Sequence, residues 1–271
     1  MKLFRSRGAN DAPQATTSPL ARVNALFEKG RYAEAEAEAR ALAANDSRYK
    51  ALALSVAARS VGAQGRHDEA LAEYDALLPV FGRGLGAEHP QTLALRSNRA
   101  QTLTALARHA ECEAECAAVA RTAARGTRPD SALIAAAARV GQIYAVNAQG
   151  RHTEAEALAR EALAGHRTSD RITVALRLGL TRTLNAQGRH EEALREAEST
   201  EELSRSLSED QRHQEAGAVD LALATALLGL GRDAEAGPRA RAAHDACVSA
   251  FGPGHYRTAE ARALLDRLDG T

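Results

Sequence analysis

The stretch GRHTEAEALAR at residues 150–160 decides the fold, because variants of it return five times along this 271-residue chain. Counted from their first residues, successive copies are 35, 42, 43, 38 and 43 residues apart. Repetition at this spacing predicts a helical solenoid, in which each unit buries its apolar face only against its neighbours. Such an array most often serves as a binding scaffold. The other copies are GRYAEAEAEAR at 30–40, GRHDEALAEYD at 65–75, ARHAECEAECA at 107–117, GRHEEALREAE at 188–198 and GRDAEAGPRAR at 231–241.

Each copy also marks a turn between two helices. The Gly of Gly-Arg supplies the left-handed backbone conformation that ends the preceding helix, and no segment has the alternating pattern of a strand. Candidate N-caps are Asp46 or Ser47, Asp130 and Ser169, and Ser208 stands in capping-box spacing with Gln211. The sequence therefore predicts an all-α fold of helical hairpins, each made of a helix A and a helix B. The predicted pairs are 19–29 with 32–44, 47–64 with 67–80, 90–106 with 109–125, 131–149 with 152–165, 169–187 with 190–206 and 209–230 with 233–250, followed by a thirteenth helix over 256–269.

Three segments follow from this pattern. Residues 1–17 are polar and without periodicity, which predicts a disordered N-terminal tail. Residues 18–252 hold the six repeats. Residues 253–271 begin like a seventh helix A without a helix B, so we expect a C-terminal helix that covers the sixth unit and presents a polar outer face to solvent. The residues predicted on that outer face are Glu260, Arg262, Asp266 and Arg267.

Bulk composition narrows the function. Lys and Arg number 35 and Asp and Glu number 35, a balance that argues against nucleic acid or an anionic membrane as a partner. No signal peptide or membrane span is evident, and three cysteines do not suggest a disulfide framework, so we expect a cytoplasmic protein. The 32 Arg against three Lys, with 63 Ala, indicate the coding bias of a high-GC, actinobacterial-like bacterium.

A small residue recurs five positions after each turn, as Ala35, Ala70, Ala155, Ala193 and Ala236, with Cys112 in the third copy. The segments FGRGLGAEHPQTLALRSNRAQTLTALARHAECE (81–113) and FGPGHYRTAEARALLDRL (251–268) add a Gly-rich link, a His, a Thr and, in the first, an Asn-containing helix A. Together these features resemble the tetratricopeptide repeat, in its long kinesin-light-chain form, over about residues 19–270. Arg99 in place of Leu and Tyr256 in place of Pro depart from that pattern. The resemblance implies a right-handed α-solenoid with helix A on the concave face and helix B on the convex face.

Two groups of residues invite a chemical interpretation. His109, Cys112 and Cys116 could present three zinc ligands on one helical face, but no fourth ligand is evident, and packing of the cysteines in the core is favoured. His67, His109, His152 and His190 stand two residues past their turns and form a ladder along one edge, favouring a structural role. No phosphate-binding loop or catalytic constellation is visible. The sequence therefore predicts a non-enzymatic protein without a metal or cofactor.

The helices A carry the candidate binding residues. Polar and Arg side chains stand six, three and, in one case, nine residues before the turns. In these Ala- and Leu-rich helices they have no expected role in the core. Amides there suit hydrogen bonding to an extended peptide, and Arg59 with Arg182 suits carboxylates. A solvated inner face without a ligand is the alternative. The predicted groove residues are Asn24, Arg59, Asn98, Gln101, Tyr144, Asn147, Arg182 and Asn185.

Three functions compete on this basis. The first is an adaptor whose concave groove binds a peptide or partner helix. The second is a signal-responsive regulatory protein that controls a separately encoded partner. The third, an enzyme with its active site in the groove, has only the histidine ladder in its favour.

Overall fold

The computed structural model describes residues 18–128 and 130–270, and this part of the chain forms fourteen α-helices and no strand. The predicted tail over residues 1–17 lies outside it. The helices are α1 Pro19–Glu28, α2 Tyr32–Asn45, α3 Lys50–Ala63, α4 His67–Leu85, α5 Pro90–Ala105, α6 His109–Ala124, α7 Ser131–Ala148, α8 His152–Gly165, α9 Arg171–Ala186, α10 His190–Arg205, α11 Glu209–Gln214, α12 Ala218–Gly229, α13 Asp233–Phe251 and α14 Tyr256–Leu268.

Each predicted hairpin is present, and consecutive helices pack against one another to build the predicted right-handed solenoid. The small residue five positions after each turn is almost completely buried, with an exposure of 0–1% at all six positions. A larger side chain there would push helix B away from helix A, since protein interiors leave no spare volume. None of the helices in the described part of the chain is both long and apolar enough to cross a membrane.

Hydrogen bonds between neighbouring units explain most of the repeated phrase. At three unit boundaries a Gln and an Arg beside the turn donate to one Glu on helix B of the preceding unit. At the third of these, Gln187 Nε2 lies 2.9 Å and Arg189 Nη1 lies 2.6 Å from Glu156 Oε2. At the other two boundaries Leu replaces both the Gln and the Glu, and each pair of Leu side chains belongs to one apolar cluster. The polar sets are Glu36 with Gln64 and Arg66, Glu113 with Gln149 and Arg151, and Glu156 with Gln187 and Arg189; the apolar pairs are Leu71 with Leu106 and Leu194 with Leu230.

The sixth helix A departs from the sequence prediction. The expected helix over 209–230 is divided into α11 and α12 by Gly217, whose φ is +71°. A Cβ built at Gly217 would lie 2.5 Å from the Ala243 carbonyl oxygen and 2.6 Å from Cys247 Sγ on α13. Only glycine permits both this backbone conformation and this close approach. The capping box of Ser208 and Gln211 at the start of α11 is confirmed.

Other helices begin or end a few residues away from the predicted boundaries. α3 begins at Lys50 rather than 47, because Asp46 turns back to accept from the Arg48 backbone N–H at 3.0 Å instead of capping a helix. α4 continues to Leu85 rather than 80. The N-cap of α9 is Asp170, which accepts from the Thr173 backbone N–H at 3.0 Å, rather than Ser169.

Ala107 replaces glycine at the third turn and keeps its left-handed conformation, with φ of +56°. The left-handed conformation costs a residue with a Cβ roughly 1–2 kcal/mol. Glycine avoids this steric cost but loses more backbone entropy on folding, so the net gain is smaller. We predict that Ala107→Gly raises the free energy of unfolding by about 0.5–1 kcal/mol, measured by urea denaturation. The exposed mid-helix change Ala114→Gly is the control and should lower it by roughly 1 kcal/mol. Equal destabilisation by both changes would contradict the account of this turn.

The choice between polar and apolar unit boundaries can be tested at Glu156. Glu156→Leu alone leaves the Gln187 amide without its carboxylate acceptor and should cost about 1 kcal/mol. Adding Gln187→Leu recreates the Leu pair of the other boundaries and should recover at least half of that loss. A double-mutant cycle by urea denaturation measures this recovery, and simple additivity of the two single changes would count against it.

Acid should reduce the difference in unfolding free energy between the original protein and Glu156→Leu. The hydrogen bond from Gln187, with further help from Arg160 and Arg189, lowers the pKa of Glu156 in the folded state. A lowered carboxyl pKa stabilises the fold above the unfolded-state value and loses that contribution as the pH falls through the folded-state value. The deficit of Glu156→Leu should therefore shrink below about pH 4.5, the region of the ordinary Glu pKa.

Candidate functional site on the concave face

The eight predicted groove residues lie on five of the helices A, α1, α3, α5, α7 and α9, and the structure brings some of them together. Asn24 on α1 contacts Arg59 on α3, and Tyr144 on α7 contacts Arg182 on α9. On α5, Gln101 is exposed and Asn98 is half-buried. The two Arg side chains therefore centre two separate clusters, one near each end of the array.

The first cluster, which we call the Arg59 cluster, consists of Asn24, Phe27, Glu28 and Arg59. The Arg59 guanidinium lies over the Phe27 ring, 3.8 Å from its centroid, and its Nη2 donates to Asn24 Oδ1 at 3.1 Å. The Asn24 amide is itself fixed, because its Nδ2 donates to the Leu20 carbonyl oxygen at 3.0 Å. Stacking and one hydrogen bond thus hold the guanidinium plane in a single orientation.

The charge of Arg59 is only weakly compensated. Burial lowers the pKa of Arg59, and the nearby Glu28 carboxylate partly offsets that shift. Glu28 lies 3.7 Å from Arg59 Nη2, and its side chain is 64% exposed. Arg59 Nε is buried and has no hydrogen-bond partner within the described residues. A buried donor without an acceptor is costly, but an atom closed to solvent is closed to a ligand as well. The Arg59 side chain is 32% exposed, and an incoming carboxylate can pair only with the exposed part of its guanidinium.

The second cluster, which we call the Arg182 cluster, consists of Tyr144, Arg182 and Glu260. The Arg182 guanidinium lies 5.2 Å from the centroid of the Tyr144 ring, and Nη2 forms an ion pair with Glu260 on α14. Glu260 was expected on the outer, solvent-facing side of the C-terminal helix. It instead contacts Arg182 on α9, the helix A of the fifth hairpin.

Asn147 and Asn185 take part in a local interaction that links helix A to helix B. Asn147 Oδ1 lies 2.7 Å from His152 Nδ1, and Asn185 Oδ1 lies 3.1 Å from His190 Nδ1. The first unit has an aromatic contact at the same two positions, with the Phe27 and Tyr32 ring centroids 5.1 Å apart. The amide oxygens are therefore engaged within the fold, and Asn147 is buried. Asn147 thus has a core contact that the spacing of the sequence did not predict.

The same interaction accounts for two members of the histidine ladder. His190 also lies against the backbone of α12, since a Cβ built at Gly229 would lie 2.3 Å from its Nδ1. These rings fill the space between helix A, helix B and the next unit. The signal in the sequence was the joint recurrence of Asn three residues before a turn and His two residues after it.

The cysteine pair packs between α5, α6 and α7. Cys112 Sγ and Cys116 Sγ are 3.9 Å apart, and Cys112 Sγ lies 3.1 Å from Thr104 Oγ1. Cys116 rests on bare backbone, because a Cβ built at Gly141 would lie 2.7 Å from its Sγ. Across residues 18–128 and 130–270, no three His, Cys, Asp or Glu side chains are placed to hold a metal ion. Both cysteines are buried in one apolar cluster with Leu103.

The two ends of the array approach each other. A cavity of about 450 Å³ lies between Lys29, Tyr32 and Gln64 at the first two turns and residues 248–255 of the last link. In this link His255 stacks on Phe251, with ring centroids 4.6 Å apart. Burial, with Arg257 and His67 nearby, lowers the pKa of His255 to about 4, so the ring is neutral at physiological pH. The first two turns and the end of α13 with its following link thus line one cavity between them.

The chain is similar in sequence and in fold to known repeat proteins. Residues 137–169 match the tetratricopeptide repeat family model by sequence. The structure of a Rap protein complexed with Competence and Sporulation Factor superposes on this chain with a TM-score of 0.61 at 13% sequence identity. The superposition covers 93% of this chain and 74% of the Rap chain. The fold is a tetratricopeptide-repeat solenoid. No curated protein matches the chain by sequence.

Two further solved tetratricopeptide-repeat structures agree. A protein named as a kinesin light chain, with nearly identical TPR-like repeats, from Podosopora anserina has a TM-score of 0.53 at 20% identity, covering 83% of this chain and 98% of its own. A thermophilic TPR protein from Thermus thermophilus has a TM-score of 0.52 at 22% identity, covering 78% of this chain and 97% of its own. Solenoids of this fold typically act as scaffolds for protein–protein interaction rather than as catalysts.

Proposed function

We propose that this chain is a non-catalytic cytoplasmic adaptor whose concave groove binds an acidic peptide or the acidic face of a partner helix. The observation that carries the proposal is Arg59, which is oriented by Phe27 and Asn24 and has Glu28, 3.7 Å away, as its neighbouring carboxylate. The Arg59 side chain is 32% exposed, so a ligand carboxylate can form charge-assisted hydrogen bonds with the exposed part of the guanidinium. The fold supports the proposal in kind, since curved solenoids present extended concave surfaces.

A peptide fits this surface better than a small anion. The Arg59 and Arg182 clusters lie on α3 and α9, with the polar side chains of Asn98 and Gln101 on α5 between them. An extended or helical segment reaches from one cluster toward the other, and amides along the way suit its backbone or polar side chains. The balanced net charge of the chain supports a protein ligand over nucleic acid or an anionic membrane.

A second function is favoured by one comparison. The solved relative with a TM-score of 0.61 over 93% of this chain was captured in complex with Competence and Sporulation Factor. By analogy, the groove here would bind a signal and thereby control a separately encoded partner. The two functions differ in what binding does: an adaptor holds its ligand and partner together, whereas a regulator releases or captures a second protein when its signal binds.

Direct tests need the partner, which affinity capture from the native host would supply. We predict that Arg59→Ala and Arg182→Ala each weaken its binding by about 1.5–3 kcal/mol, as expected for charge-assisted hydrogen bonds, measured by isothermal titration. Arg59→Lys should recover only part of the loss, because an ammonium lacks the planar fork.

The matched control is Arg195→Ala on α10, whose side chain is 66% exposed and pairs only loosely with Glu191 at 3.9 Å. Removing the same charge there should leave binding within about 0.5 kcal/mol of the original, as for most surface substitutions. A partner that loses affinity with Arg195→Ala but not with Arg59→Ala would bind the convex face and refute the proposed site.

A further inference from the structure

The Arg182 cluster contains a carboxylate of the chain's own. Arg182 belongs to the fifth hairpin, and Glu260 lies on the C-terminal helix that follows the sixth. Their ion pair therefore joins α9 to α14, past the intervening helix α12. It joins the concave surface to α14, an element that the repeat pattern predicted only as a cover for the last hairpin.

The opposite side of α14 is fixed more firmly. Leu264 and Leu265 are buried against the sixth hairpin, in one apolar cluster with Leu221 and Ala224. The start of α14 is held by Glu215, a carboxylate with 4% side-chain exposure that accepts from Arg171 at 2.8 Å and from Arg257 at 3.3 Å. The break at Gly217 places Glu215 there. The helix thus has an anchored apolar face and one polar contact that reaches into the groove.

That polar contact is suited to exchange. The Arg182 and Glu260 side chains are 41% and 34% exposed, and ion pairs at such exposure are weak and sensitive to salt. A carboxylate from a ligand can replace Glu260 on the same guanidinium without any change in the charge that Arg182 faces. The Tyr144 ring would keep the guanidinium in place during the exchange.

From this geometry, and resting on the proposed function, we infer that Glu260 is a built-in competitor for the ligand. In the free protein it occupies Arg182, and an acidic ligand displaces it from that guanidinium. The two Arg side chains are therefore unequal. Arg59, with Glu28 only at 3.7 Å, is the first contact, whereas Arg182 exchanges Glu260 for the ligand carboxylate.

The contribution of this ion pair to holding α14 can be tested without a ligand, by hydrogen exchange of the full chain. Glu260→Gln keeps the size of the side chain but removes its charge, and should speed amide exchange in residues 256–268 by about two- to five-fold, the range that a weak exposed ion pair allows. Glu235→Gln is the control, because it removes the charge of an equally simple pair with Arg232 at a surface turn. It should leave exchange in 256–268 unchanged. Unchanged exchange in Glu260→Gln would overturn the inference.

Competition is tested with a fluorescein-labelled decaglutamate peptide and fluorescence anisotropy. Glu260→Gln should bind this probe about two- to five-fold more tightly than the original protein, and Arg182→Ala should abolish that gain. Faster exchange of α14 without tighter binding of the probe would overturn the role of Glu260 as a competitor.

Failure of the proposed function is distinguishable from failure of this inference. Arg59→Ala in a protein with intact Glu260 tests the function alone, and weaker binding of the probe supports it. If Arg59→Ala weakens binding but Glu260→Gln does not strengthen it, the function stands and the competitor role falls. If neither variant alters binding of the probe, both the acidic-ligand function and the competition are refuted, whatever the exchange of α14 shows.

Discussion

The close approach of helix A and helix B at one small residue per hairpin is the constraint on which the rest of this structure depends. Ala35, Ala70, Ala155, Ala193 and Ala236 are completely buried, and Cys112 fills the equivalent position in the third hairpin. The turns beside these small residues also join neighbouring units. At three boundaries a Gln and an Arg of the turn donate to a Glu on helix B of the preceding unit, and at the other two a pair of Leu side chains joins an apolar cluster. Close packing of helix A on helix B, repeated along the chain, thus builds the array.

Much of this fold was predictable because it is local and repeated. The recurring Gly-Arg turn, the small residue and the helical periodicity identified every hairpin and the C-terminal helix. The break between α11 and α12 was not predictable, because it depends on the close approach of Gly217 to Ala243 and Cys247 on a different helix. Glu215 illustrates the same limit, since its two Arg partners are 44 and 42 residues away in the sequence.

The candidate site was predictable only in outline. Spacing from the turns placed Arg59 and Arg182 at equivalent positions of two helices A, and in the structure each lies against an aromatic ring of the preceding helix A. It could not show that Asn147 and Asn185 are engaged by His152 and His190, nor that Glu260 reaches Arg182. Those contacts depend on side-chain direction and on the curvature accumulated over several units. Phe27 also escaped prediction as part of the site, although its spacing from the first turn matches that of Asn147 and Asn185 from theirs.

The central claim is that the concave face, through oriented and partly buried Arg side chains, recognises an acidic protein segment. NMR of the Arg side-chain Nε–Hε groups in the full chain, titrated with decaglutamate, observes these groups one by one. The account predicts that the Nε–Hε resonances of Arg59 and Arg182 shift, with Arg59 affected at the lower peptide concentration, while that of Arg195 on α10 stays in place. Shifts confined to Arg195 and other helix B side chains, with Arg59 unchanged at saturation, would contradict it.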